Sequence, residues 1–112
     1  MLKKPYRLSK KEFEVIISGG KAIHCPIFTF VYISSTNKNM GLSAVASKKN
    51  FKTAVQRNKI RRRIYGSIER VIHGQVLPIQ GIFLAKTAII KADSGVIDLN
   101  IHQIFVKLGL LK

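Results

Sequence analysis

Residues 53–72 constrain this chain more than any other stretch, because they specify a long amphipathic helix whose polar side is almost wholly cationic. Thr53 with Gln56 three residues later is a capping box, which opens a helix by satisfying free backbone N–H groups. Ile60, Ile64, Ile68, Val71 and Ile72 then recur on one face of a 3.6-residue repeat, so that face needs a core to cover it. Around the stripe, Lys48, Lys49, Lys52, Arg57, Lys59, Arg61, Arg62 and Arg63 put eight basic residues into 48–63 without one acid. Arg57, Asn58, Arg61, Arg62 and Tyr65 follow one flank of the stripe; Lys52, Lys59, Arg63 and Arg70 follow the other. A charged helix face is ordinarily a solvated mixture of Lys and Glu. Here like charges at i,i+4, such as Arg57 and Arg61, cost a few tenths of a kcal/mol each, a cost that an external polyanion would offset.

The whole composition points the same way. A chain of 112 residues with 46% apolar content is one folded domain, 1–112, and not a disordered polymer. Its net charge of +15 makes nucleic acid the first candidate partner. A membrane is not expected as partner: the most apolar run, Val76 to Ile90, is interrupted by Pro78, Gln80, Gly81 and Lys86, and the amino terminus does not read as a signal peptide. The expected location is the cytoplasm. Cys25 is alone, so no internal disulfide forms. His24, His73 and His102 lack metal-ligand spacing. Glu12, Glu14, Glu69, Asp93 and Asp98 form no recognisable catalytic pair. No catalytic residue and no protein-bound metal or cofactor is therefore assigned.

Taken in order, residues 1–8 read as a basic extended arm. Ser9 and Glu12 form a second capping box, opening a short helix with Phe13, Ile16 and Ile17 on one side and Gly19-Gly20 at its end. Lys21 to Cys25 is read as a short strand. Ile27 to Ile33 is a second strand, apolar on both sides, with Phe28, Phe30 and Tyr32 opposite Ile27, Thr29, Val31 and Ile33. A polar turn over 34–39 then leads to a strand over 41–47, read as closing an antiparallel hairpin. After the basic helix come a buried strand at 81–85, which allows a parallel crossover, and a last helix. That helix is capped by Asp93-Ser94-Gly95, carries Ile97, Ile101, Ile104, Phe105 and Leu108 on one face, and stops at Gly109. The fold class is α+β, a single-domain α-β sandwich with the order α-β-β-β-α-β-α.

Arg57-Asn58-x-x-Arg61-Arg62, following Ser47-Lys48-Lys49 and Ala54-Val55, resembles the signature of the bacterial ribonuclease P protein subunit. Arg7-Leu8, Phe13 and Gly41-Leu42-Ser43 extend the resemblance over nearly the whole chain. Two departures stand out. The loop Asn50-Phe51-Lys52-Thr53 lacks the common glycine, implying a different loop path, and Tyr65 replaces an arginine, implying one phosphate contact fewer. The resemblance implies a left-handed βαβ crossover, as in domains of a ribosomal protein and of elongation factor G, although crossovers are generally right-handed.

It also implies a function. The protein would be the accessory subunit of a ribonucleoprotein endonuclease that removes the 5′ leader from precursor tRNA, with the RNA subunit and Mg2+ performing the hydrolysis. Its partners would be the catalytic RNA and precursor tRNA. Lys48, Lys49, Lys52, Arg57, Asn58, Lys59, Arg61, Arg62, Arg63 and Tyr65 would meet RNA. A cleft between the first helix and the sheet would hold the leader on Phe13, Ile17, Thr29 and Val31. Where relatives often carry an aromatic at the last of these positions, Tyr32 is adjacent, so either the strand register slips by one or that stacking group is lost. No DNA partner is expected, since no second helix forms a helix-turn-helix with the basic one. A structural ribosomal RNA-binding protein, with the same need for cations and no enzymatic association, is the alternative.

Overall fold

The computed structural model describes residues 8–34 and 40–111. The basic arm, apart from Leu8, and the polar turn, apart from the backbone of Ser34, lie outside those residues. The elements in order are α1 (Lys10–Gly19), β1 (Lys21–His24), β2 (Phe28–Ser34), β3 (Gly41–Val45), α2 (Ala54–Ile72), β4 (Ile79–Ala85), a 3-10 helix over Thr87–Lys91 that the sequence did not announce, and α3 (Ser94–Lys107). Ser9 and Glu12 complete the first capping box in both directions. At Thr53 only the forward half forms, its hydroxyl accepting from the Gln56 N–H at 3.1 Å. Asp93 caps α3 by accepting from the Val96 N–H.

The four strands form one sheet in the order β1-β2-β4-β3. The expected hairpin between the second and third strands does not form. β4 lies between them, antiparallel to β2 and parallel to β3. The reason is burial: β4 has apolar residues on both faces, so it takes a central position with a neighbour on each side, and the five-residue β3 goes to the edge. The antiparallel hairpin that does form joins β1 to β2, and the chain from β3 to β4 crosses over through α2.

Strand alternation assigns the two faces. Phe28 and Phe30 of β2, Leu42 and Ala44 of β3, and Ile79, Phe83 and Ala85 of β4 face the main core, where Ile60, Ile64, Ile68 and Ile72 of α2 meet Ile97, Ile101, Ile104 and Phe105 of α3. Phe83 sits among Phe28, Phe30 and Phe105 with ring centroids 4.4 to 6.3 Å apart. Gly81 is required there: a Cβ would enter the Phe30 ring. The other face carries a smaller cluster in which Ile16 of α1 packs on Val31 and Ile82, flanked by Leu8, Phe13, Ile33, Val45 and Leu84.

Candidate nucleic-acid interface

Helix α1 crosses the strands of the lightly covered face. At its start, Glu12 accepts from the Gln80 amide of β4 at 2.7 Å, and Leu8 lies against Gly41 of β3. At its end, Gly20 fits so tightly on β2 that a Cβ would meet the Tyr32 carbonyl and the Val31 side chain at 3.0 Å. Ile16 points straight down. Glu12 lies on one side of that line; Phe13 and Ile17, one turn apart, lie on the other.

The sheet register shows what they overhang. His24 pairs with Thr29, Thr29 with Leu84, and Leu84 with Val45, one residue from each strand on the same face. His24 is exposed and the other three are half-buried; with Phe13, Val45 and Leu84 all flanking the Ile16 cluster, we read the row as the floor of an open groove on the Phe13 and Ile17 side of α1. Of the expected cleft residues, Phe13 is half-buried, Ile17 is 47% exposed and Thr29 lies in the floor. Val31 lies under α1 at 9% exposure. Tyr32 is not in the cleft: it projects from the opposite face and stacks on Phe30, centroids 5.6 Å apart and planes 10° from parallel. β2 pairs along its length without a slip, so the stacking group at position 31 is lost. His24, Leu84 and Val45 went unnoticed in the sequence because only the strand register brings them to Thr29.

The basic residues divide by what their side of α2 faces. Tyr65 belongs to the core at 7% exposure, and its hydroxyl accepts from the Ala44 N–H of β3 at 3.1 Å. Where an RNA contact was expected, the described structure shows a structural one: the hydroxyl satisfies a donor on the outer edge of β3. That bond also fixes α2 beside the edge, with Asn58, Arg61 and Arg62 on the same side of the helix, one to two turns nearer its start and next to the Val45 end of the groove. Arg61 donates to the Asn58 side-chain oxygen, Oδ1. Among the described residues, Arg57, Arg61 and Arg62 have no carboxylate partner.

The opposite flank turns to the protein. Arg63 donates to the Ile89 carbonyl at 3.2 Å and to that of Ala92, clamping the 3-10 helix. Arg70 makes a two-point contact with Asp98 of α3 at 2.9 and 3.0 Å. Arg63 thus tethers the 3-10 helix to α2, and with Val55, Asn58, Lys59 and Arg62 it also lines an open surface.

The loop before α2 closes without a glycine. The Phe51 N–H donates to the Ser47 carbonyl at 2.9 Å, the Asn50 N–H to the Ser47 hydroxyl, and Phe51 itself is buried. Arg57 donates to the Phe51 carbonyl at 2.9 Å, which ties the loop to the first turn of the helix. No residue of this loop has a positive φ, so no left-handed position calls for glycine. Lys48, Lys49 and Lys52 stay exposed on it, beside the free N–H groups of the helix start.

Comparison with known proteins bears on this architecture. The family described as Ribonuclease P matches residues 2–109. The chain belongs to the ribonuclease P protein family. It is 35% identical over 101 residues, covering 89% of this chain and 88% of the relative, to the ribonuclease P protein component of a Nitratiruptor species. Its fold is that of a Staphylococcus aureus RNase P protein mutant with defective mRNA degradation activity (TM-score 0.80, 24% identity, 96% of this chain and 92% of that one). The RNase P protein from Thermotoga maritima shares it as well (TM-score 0.75, 17% identity, 88% and 93%). A ribonuclease P protein component is part of an endoribonuclease holoenzyme that processes tRNA, and an RNA partner is implied. This membership displaces the ribosomal-protein alternative. Among the described residues no helix is long and apolar enough to cross a membrane.

Proposed function

We propose that the protein binds the catalytic RNA of ribonuclease P through the Asn58, Arg61 and Arg62 side of α2 and the Lys48–Lys52 loop, and holds the single-stranded 5′ leader of precursor tRNA in the groove beneath Phe13. The observation that carries this reading is adjacency: the groove floor ends at Val45, on the strand whose outer edge α2 occupies with cations that lack carboxylate partners. An apolar floor with an aromatic wall suits unstacked bases, which a duplex would hide, and arginines beside it suit phosphate. Cleavage itself falls to the RNA subunit with Mg2+. The cytoplasm is the compartment we assign to the holoenzyme.

Two variants test the two halves. Phe13→Leu keeps most of the buried volume and removes the stacking surface. It should weaken holoenzyme binding of precursor tRNA about five- to tenfold, the lower range of a lost base–aromatic stack, and leave mature tRNA binding unchanged. Equal loss for both tRNAs would make Phe13 a packing residue. Arg61→Ala with Arg62→Ala should weaken RNA-subunit binding while helix content, read by circular dichroism, stays constant. Unchanged binding would move that interface elsewhere.

A further inference from the structure

The groove floor ends on β1 in a side chain unlike the rest of the row. Thr29, Leu84 and Val45 offer methyl and methylene groups; His24 offers a flat ring. Its Nδ1 lies 3.2 Å from the Thr29 hydroxyl, which holds the imidazole at the edge of the floor. Nε2 has no partner among the described residues, and the residue is exposed. Strands lie about 4.8 Å apart, so three spacings put His24 roughly 14 Å from Val45. A stacked strand advances about 3.4 Å per nucleotide and an extended one more, so roughly two to four nucleotides span that distance.

We infer that His24 is a leader-contacting residue at the far end of the groove, stacking its ring on a base and using Nε2 as a hydrogen-bonding group toward the same nucleotide. The inference rests on the reading that the groove holds single-stranded RNA. Imidazole is among the rings on which unpaired bases stack, and Phe13 and His24 are the two flat groups that the described structure places on the groove. Because α2 and its RNA-binding side stand at the Val45 end, a leader leaving the catalytic RNA crosses Val45, Leu84 and Thr29 before it reaches β1. His24 therefore senses whether a leader is long enough to cross the sheet.

The experiment uses holoenzyme reconstituted with the RNA subunit and precursor tRNAs whose leaders range from a single nucleotide to well beyond the length of the row. His24→Ala should bind long-leader substrates about five- to tenfold more weakly and short-leader substrates and mature tRNA as the wild type does. His24→Phe should recover most of the loss. A deficit of the same size at every leader length would show a structural role and overturn the inference. No deficit at any length, with Phe13→Leu still selective for precursor, would show that the leader lies in the groove without reaching His24. If Phe13→Leu also loses its selectivity, the groove reading itself fails.

Discussion

At the scale of single residues, Tyr65 shows how a side chain on a surface flank by spacing can belong to the interior. The helical repeat places it beside Arg61 and Asn58, but the position of β3 decides its role, and that position is not written in the helix. Its hydroxyl accepts from the Ala44 N–H in a nearly dry setting. Tyr65→Phe should therefore lower stability by about 1–2 kcal/mol, the cost of a buried donor left unsatisfied, with RNA-subunit affinity unchanged. Urea unfolding and RNA binding on the same sample read both; weaker binding at unchanged stability would put the hydroxyl on RNA. His73 gives an expectation of opposite sign. It ends α2 in the left-handed region at φ 50°, ψ 43°, directly before Gly74 at φ 77°. A side chain costs about 1 kcal/mol in that conformation, so His73→Gly should raise the urea midpoint, and a fall would mean that the imidazole supports the cap.

At the scale of elements, the strands and helices were legible in the sequence because capping boxes, apolar periods and glycine stops are local signals. The pairing of β2 was not. A hairpin and a split crossover place the same residues in strands, and only the demand of β4 for cover on both faces separates them. The groove inherited that limit, since Phe13 and Thr29 could be placed from α1 and β2 alone while His24, Leu84 and Val45 required the register. Arg63 and Arg70 read as surface cations because nothing local says that the 3-10 helix and α3 lie beneath them. Two carboxylates join elements in ways that pH can probe. The Ser9 N–H, with the Ser9 hydroxyl and the Gln80 amide, holds Glu12 below its ordinary range despite burial, and Glu12 in turn ties α1 to β4. The Arg70 guanidinium, helped by the buried Ser67 hydroxyl, holds Asp98 below its own and joins α3 to α2. A depressed folded-state pKa contributes stability above the unfolded value, about 4.5 for Glu12 and 3.8 for Asp98, and loses it as pH falls through the folded value. The urea midpoint should thus be insensitive to these two groups near neutrality and decline below about pH 5. Glu12→Gln should remove part of the decline; an unaltered acid limb would show that Glu12 contributes none of it.

At the scale of the whole molecule, the chain carries a net charge of +15 on 112 residues. Much of that charge sits on the α2 flank and its loop, which have no carboxylate to meet among the described residues, so the folded state carries repulsion that bound anions relieve. Affinity for the RNA subunit should fall steeply with salt, with a log–log slope of roughly 0.7–0.9 per phosphate neutralised. The same cations should bind sulfate in the free protein. An anion that binds only the folded chain stabilises it by about 1.4 kcal/mol at a tenfold excess over its dissociation constant, roughly 5 °C in melting temperature for a domain of this size. Sulfate also strengthens burial in any protein by exclusion from its surface, and chloride screens charge without occupying a site. The informative quantity is therefore the extra melting shift in sulfate over chloride at matched ionic strength, compared between the wild type and the Arg61→Ala, Arg62→Ala variant. Salting-out acts on both chains alike, so a discrete anion site on this flank should leave the variant with a smaller extra shift. An extra shift of the same size in both would place the bound sulfate away from the α2 flank or reduce the effect to exclusion alone.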